Sequence, residues 1–194
     1  MSNDLVVGDE VPQNSELIEV HVAELERLFN PIDPSPLPDR ELDSKTEEFI
    51  VSWARGTRRD ASLALMVYVD NETATHKAEH VGAAIREFFA QRSLSARRRL
   101  SQLFRVGRTS LLIGLVFLTA ALLLGSLVDR ALSGRQIGAL IRESILIGGW
   151  VAMWRPLEIF LYDWWPILAE RKMFDRLSRM PVGITFKWSS DAKR

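Results

Sequence analysis

The polarity pattern of the chain is dominated by two long apolar stretches. Residues 110–128 carry no charged side chain, and residues 144–162 carry only Arg155 and Glu158. Nineteen helical residues rise about 28 Å, close to the ~30 Å hydrocarbon core of a bilayer. The pattern predicts a transmembrane hairpin over residues 106–165, with a short polar connector at its turn. A buried core helix is the competing reading, but the rest of the chain is too small to surround one.

The flanking segments alternate between strand and helix periods. Residues 17–22 place Ile18, Val20 and Val22 opposite Glu19 and His21, which predicts a half-buried strand. One or two helical turns follow over 23–29. Pro31, Pro34, Pro36 and Pro38 then impose a stiff extended connector. Ser44 and Glu47 have capping-box spacing and predict a helix over 45–55, with Phe49, Ile50 and Trp53 as its apolar face and Gly56 as its stop. Residues 61–69 read as a buried strand. Strand, helix and strand in this order predict a parallel pair with a crossover helix.

A long helix capped by Thr73 or Thr75 follows. Its apolar face is Ala74, Ala78, Val81, Ile85, Phe88 and Phe89, and His76, His80 and Glu87 lie on the wet face. No breaker separates it from the first apolar run. After the hairpin, residues 167–180 predict an amphipathic helix with Leu168, Met173, Phe174 and Leu177 inward, ended by Pro181. Residues 182–188 alternate as a third strand. The expected organisation is therefore a disordered tail over 1–15 and a cytoplasmic α+β domain over 16–105. The hairpin follows, and residues 166–194 return to the domain. The fold class is an α+β membrane protein whose small soluble domain is formed by both terminal segments.

Charge adds orientation. The 25 basic and 25 acidic residues cancel, but residues 1–48 hold thirteen acidic and three basic side chains. Six arginines lie between Arg92 and Arg108, and Arg171, Lys172, Arg176 and Arg179 follow the hairpin, against Arg130, Arg135 and Arg142 around the connector. Basic residues favour the cytoplasmic side, so both termini are expected there. Arg97, Arg98, Arg99, Arg105 and Arg108, immediately before an apolar span, suit anionic lipid rather than nucleic acid. Trp150, Trp154, Tyr162, Trp164 and Trp165 fit an interfacial aromatic belt. The chain has no cysteine, hence neither disulfides nor thiolate chemistry. No basic start followed by an apolar core marks a cleavable signal peptide.

Two sets of hairpin residues stand out. Gly107, Ser110, Gly114, Ala121 and Gly125 share one face of the first helix, and Ser144, Gly148 and Ala152 repeat at four-residue spacing on the second. Such stripes allow close backbone approach, within the hairpin or to another subunit. Arg155 and Glu158, three apart, can pair at the interface. The alternative is that they line an ion or ligand path, which two helices could enclose only as part of an oligomer.

The one catalytic pattern is His76-x-x-Glu79-His80. Two histidines at i and i+4 can hold zinc beside a glutamate base. It lacks a third protein ligand, and the default reading is three exposed helix residues. No phosphate loop, nucleophile elbow or carboxylate pair accompanies it. No metal or other cofactor is expected.

Three stretches resemble a bacterial family of two-span inner-membrane proteins to which no activity is attached. They are Asp33-Pro34-Ser35-Pro36, the run 47–55 (EEFIVSWAR) and the run 154–166 (WRPLEIFLYDWWP), the last being the most distinctive. The resemblance implies the bacterial inner membrane and carries no functional residues over. Together these readings describe a non-enzymatic membrane anchor or accessory subunit with a membrane-protein partner or a second copy. The rivals are an oligomeric pore or transporter component and a zinc-dependent hydrolase.

Overall fold

The computed structural model describes residues 5–36, 39–58, 60–70, 75–131 and 136–186. In chain order these form β1 (Leu5–Gly8), β2 (Glu16–Val22), a 3₁₀ helix (Leu25–Leu28), α1 (Ser44–Gly56), β3 (Leu63–Val69) and α2 (Thr75–Ala131). Then come α3 (Gln136–Glu158), a π-helical turn (Ile159–Asp163), α4 (Trp164–Leu177) and β4 (Val182–Phe186). Two compact units result: residues 1–95 with 170–194, and residues 96–169.

The first unit is built on a four-stranded sheet in the order β1-β4-β3-β2. Strand β2 pairs parallel with β3, as expected for a strand–helix–strand unit. Strand β4 also lies parallel to β3, so the connection between these neighbours includes the whole second unit. The register puts Ile18, Leu65 and Val182 side by side, then Val20, Val67 and Ile184. Their shared face is continuously apolar and buried. Helix α2 approaches it closely at Gly82, where an added Cβ would lie 3.4 Å from Val182 Cβ.

Ala78, Val81, Ile85, Phe88 and Phe89 of α2 are buried, as their periodicity predicts, and Phe89 stacks on Phe174 of α4 at 6.3 Å between centroids. Ala74 and Thr73 lie outside the described residues. The opposite sheet face is mixed, pairing Leu17 with Ala64, Glu19 with Met66 and His21 with Tyr68. His21 stacks on Tyr68 at 4.6 Å, and the Tyr68 hydroxyl donates to Glu19.

Several local expectations are corrected. Residues 5–8 are not part of a disordered tail: they form β1, antiparallel to β4. Gly8 ends that strand at φ +107°, where a Cβ would sit 2.5 Å from the Val182 carbonyl oxygen. The next residue clamps the corner. Asp9 N–H donates to Val182 O, the Asp9 carboxylate accepts from Val182 N–H, and Arg86 of α2 ion-pairs with the same carboxylate.

The cap of α1 is Asp43 rather than Ser44, its carboxylate accepting from Lys45 N–H at 3.0 Å. Glu47, expected to reach back to the cap, instead bridges to Arg92 at 2.6 Å. The buried face of α1 is Ile50, Val51 and Ala54, a step of rotation from the one expected, and Phe49 and Trp53 are almost half exposed. Helix α4 starts three residues earlier than expected, at Trp164. The last strand is described as far as Phe186; Lys187 and Trp188 lie outside the described residues.

The proline-rich connector is a closed loop. Phe29 and Leu42 bridge its base, Asn30 N–H donates to Glu41 O, and the Asp33 carboxylate accepts from the N–H groups of Ser35 and Glu41. These bonds, that to Glu41 first, hold the Asp33 carboxyl below the ordinary carboxylate range. A depressed folded-state pKa contributes order that is complete above the unfolded value and disappears as pH falls through the folded one. Amide exchange at Ser35 and Glu41 should therefore stay slow through mildly acidic pH. It should accelerate only below the normal aspartate range, and in Asp33→Asn the acid-dependent step should vanish.

Candidate functional site

The second unit is a helical hairpin whose two arms are long and apolar enough to cross a membrane. Most of its large apolar side chains are exposed, among them Leu112, Val116, Leu123, Ile147 and Val151. Its inner seam is made of small residues. Gly107, Gly114, Ala121 and Gly125 of α2 are buried, Ser110 partly so.

Each seam residue has a defined neighbour. A Cβ on Gly107 would lie 2.8 Å from Ile159 Cγ2, and one on Gly125 would lie 3.3 Å from Arg142 Cγ. Gly149 meets Leu118 and Ala121 at 2.9 and 3.1 Å by the same construction. Gly114 faces the Ala152 carbonyl oxygen at 3.1 Å. That carbonyl is the one whose helical donor would be residue 156, and Pro156 has no N–H to give.

Of the stripe expected on the second helix, Ala152 lies against Gly114 through its backbone, but Ser144 and Gly148 do not pack in the seam. Ser144 is exposed and its hydroxyl donates to Leu140 O, while Gly148 has nothing within 4 Å of its Cβ position. Ala152 is half-buried. Gly149 takes the place expected of Gly148 in the seam, one residue on and hence about 100° around the helix. Sequence reasoning passed over Gly149 because Gly148 beside it fits four-residue spacing equally well.

At the end of α3, Arg155 pairs with Glu158 at 2.9 Å, as expected, and also reaches Asp163 at 3.6 Å. In an unbroken helix eight residues would rotate Asp163 about 80° away from Arg155. The wider turn over Ile159–Asp163 takes up extra chain and returns it to the same side. Pro156, which leaves the preceding turn one bond short, is the sequence signal for this irregularity, but Asp163 itself could not be chosen from spacing.

The π-turn is tied down by aromatic contacts. Trp164 Nε1–H donates to Phe160 O at 2.9 Å, and Phe104 of α2 packs against the rings of Phe160 and Trp164. Trp150, Trp154, Tyr162 and Trp165 are exposed. Arg97, Arg98, Arg99, Arg105 and Arg108 are exposed on α2, and Ser101 lies among them on the same turn sequence.

Among the described residues of the first unit, two concavities stand out. One, about 140 Å³, lies between the loop residues Asp39, Arg40 and Glu41 and the α2 residues Glu87, Phe88, Gln91, Arg92 and Ser95. Arg92 rests on the Phe88 ring at 5.0 Å there. The other is an open groove of about 530 Å³ between Glu16 and the exposed face of α1, lined by Phe49, Trp53 and Arg58. Neither assembles a nucleophile, base and oxyanion donor. The side chains of His76 and Glu79 lie outside the described residues, and His80 is exposed. Among the described residues no three His, Asp or Glu side chains are grouped to hold a metal.

No protein-family model, curated protein sequence or solved structure matches the chain.

Proposed function

We propose that the chain is an integral protein of a bacterial inner membrane, held by the α2–α3 hairpin, that presents its sheet unit to the cytoplasm as an anchor or accessory subunit. The observation that carries this reading is the exposed apolar surface over both hairpin helices. It far exceeds the few hundred Å² that a monomer ordinarily leaves in water. The exposed arginines before the first arm support the cytoplasmic side for both ends, and the aromatic cluster after the second fits a membrane interface. The resemblance of residues 154–166 to two-span inner-membrane proteins agrees with this placement. Exposed Phe49 and Trp53 in the sheet unit supply a surface for a partner protein.

The absence of cysteine makes single-cysteine labelling clean. In intact spheroplasts a membrane-impermeant maleimide should label Ala131→Cys at the hairpin turn. Asn14→Cys should react only after lysis, and the protein should resist carbonate extraction. Reversed labelling would overturn the orientation, and release by carbonate would overturn the membrane reading. Affinity purification in mild detergent, followed by intact-mass measurement, tests the accessory role: a stoichiometric heterocomplex is expected, and a monomer contradicts it.

A further inference from the structure

The two arms of the hairpin have unequal uncharged lengths. On α2 the twenty positions between Arg108 and Asp129 carry no ionisable group, about 30 Å of helix. On α3 the corresponding run, 144–154, has eleven positions, about 16 Å. The seam contacts fix how these runs align. Gly125 lies against the Arg142 stem, Gly114 against Ala152, and Gly107 against Ile159. Arg142 therefore stands level with Gly125, about 6 Å inside one end of the α2 run. Arg155 falls between the levels of Gly107 and Gly114, about as far inside the other end.

Both arginines are exposed, Arg155 with 62% of its side chain accessible. They are not ends of a polar path, because the exposed surface of α3 between them is apolar and large, with Ile147, Trp150 and Val151 at 60–69% exposure. Trp150 stands within about two residues of the midpoint between Arg142 and Arg155, far below the headgroup level that tryptophan favours in a bilayer of full thickness.

The geometry points to a hairpin that fits a locally thinned bilayer: on the α3 side, lipid headgroups are drawn inward to Arg142 and Arg155, and α2 keeps its full hydrocarbon contact. This inference rests on the membrane reading above. The partner is a lipid surface of short hydrophobic thickness, not a second protein, since the surface between the charged ends is as apolar as lipid requires. An arginine side chain snorkels to the displaced headgroups rather than entering hydrocarbon.

The test uses the full chain reconstituted in phosphatidylcholine vesicles with monounsaturated chains of 14 to 22 carbons. Quenching of tryptophan fluorescence by brominated lipid of each length gives relative lipid binding constants. Wild type should favour 14-carbon over 20-carbon chains by roughly fivefold. The double variant Arg142→Leu, Glu143→Leu lengthens the uncharged run of α3 to residues 136–154, matching α2, and should move the optimum to about 18 carbons. A wild-type optimum at 18 carbons or longer, or a double variant with an unshifted optimum, overturns the inference while leaving the membrane reading intact. Equal binding at every length by a cross-linkable oligomer also overturns it, because a second copy then covers α3. Absence of quenching at every length overturns the membrane reading itself.

Discussion

Replacing Ile184 by aspartate should unfold the sheet unit and leave the hairpin helical. Ile184 is fully buried on β4, between Val67 of β3 and Val7 of β1. The residues beside it at these registers are aliphatic, so a carboxylate there would be buried among apolar side chains. An unpaired charge there, or the protonated acid that replaces it, costs more than about 4 kcal/mol. That is comparable to the whole stability of a domain this size, ~5–15 kcal/mol. Ile184→Val removes one methylene and should cost only about 1 kcal/mol. Limited proteolysis in mild detergent separates the outcomes. Ile184→Asp should expose cleavage sites throughout residues 5–70 while the fragment over 96–169 survives. Wild-type-like protection of the sheet unit would mean that β4 is dispensable.

The second large effect lies in the hairpin seam. Gly107→Val should loosen the packing of α2 against α3 by about 1–3 kcal/mol, the usual cost of overpacking. A Cβ alone would come within 2.8 Å of Ile159, which is fully buried and has no room to swing aside, and 3.3 Å of the Phe160 ring. Gly148→Val, forty-one positions on, changes the same residue type in an equally apolar helix, yet its Cβ meets nothing within 4 Å. It should leave the melting temperature of the detergent-solubilised protein unchanged or slightly raised, since removing a helical glycine lowers backbone entropy in the unfolded chain. Equal losses from the two variants would contradict the seam.

That pair of glycines also marks where the sequence stopped being informative. The two apolar arms, the strand–helix–strand unit and the return of the last strand to the sheet were all legible, because each rests on a periodicity maintained over many residues. Choosing the face of α3 was a different problem. Gly148 and Gly149 are identical neighbours, so which of them meets α2 depends on the partner helix rather than on local pattern. Strand β1 is four residues long, too short for alternation to show. At α1 both Asp43 and Ser44 are good cap residues, and the choice fell to the one whose carboxylate reaches Lys45 N–H. The π-turn after Pro156 depends on Phe104 from the other arm. Asp163 joins Arg155 only because of that turn.

The placement of the hairpin between two neighbouring strands sets an order of events during synthesis. Strand β3 leaves the ribosome long before β4, with the whole of α2, α3 and α4 still to come. At ~5–20 residues per second, the edge of β3 that β4 will occupy waits roughly 5–20 s with its backbone donors and acceptors unsatisfied. Strand β1, whose sheet partner is β4, is made earlier still and waits longer. The sheet therefore cannot close until both arms of the hairpin have been synthesised, and a nascent chain stalled at that step would display an adhesive strand edge to every neighbouring polypeptide.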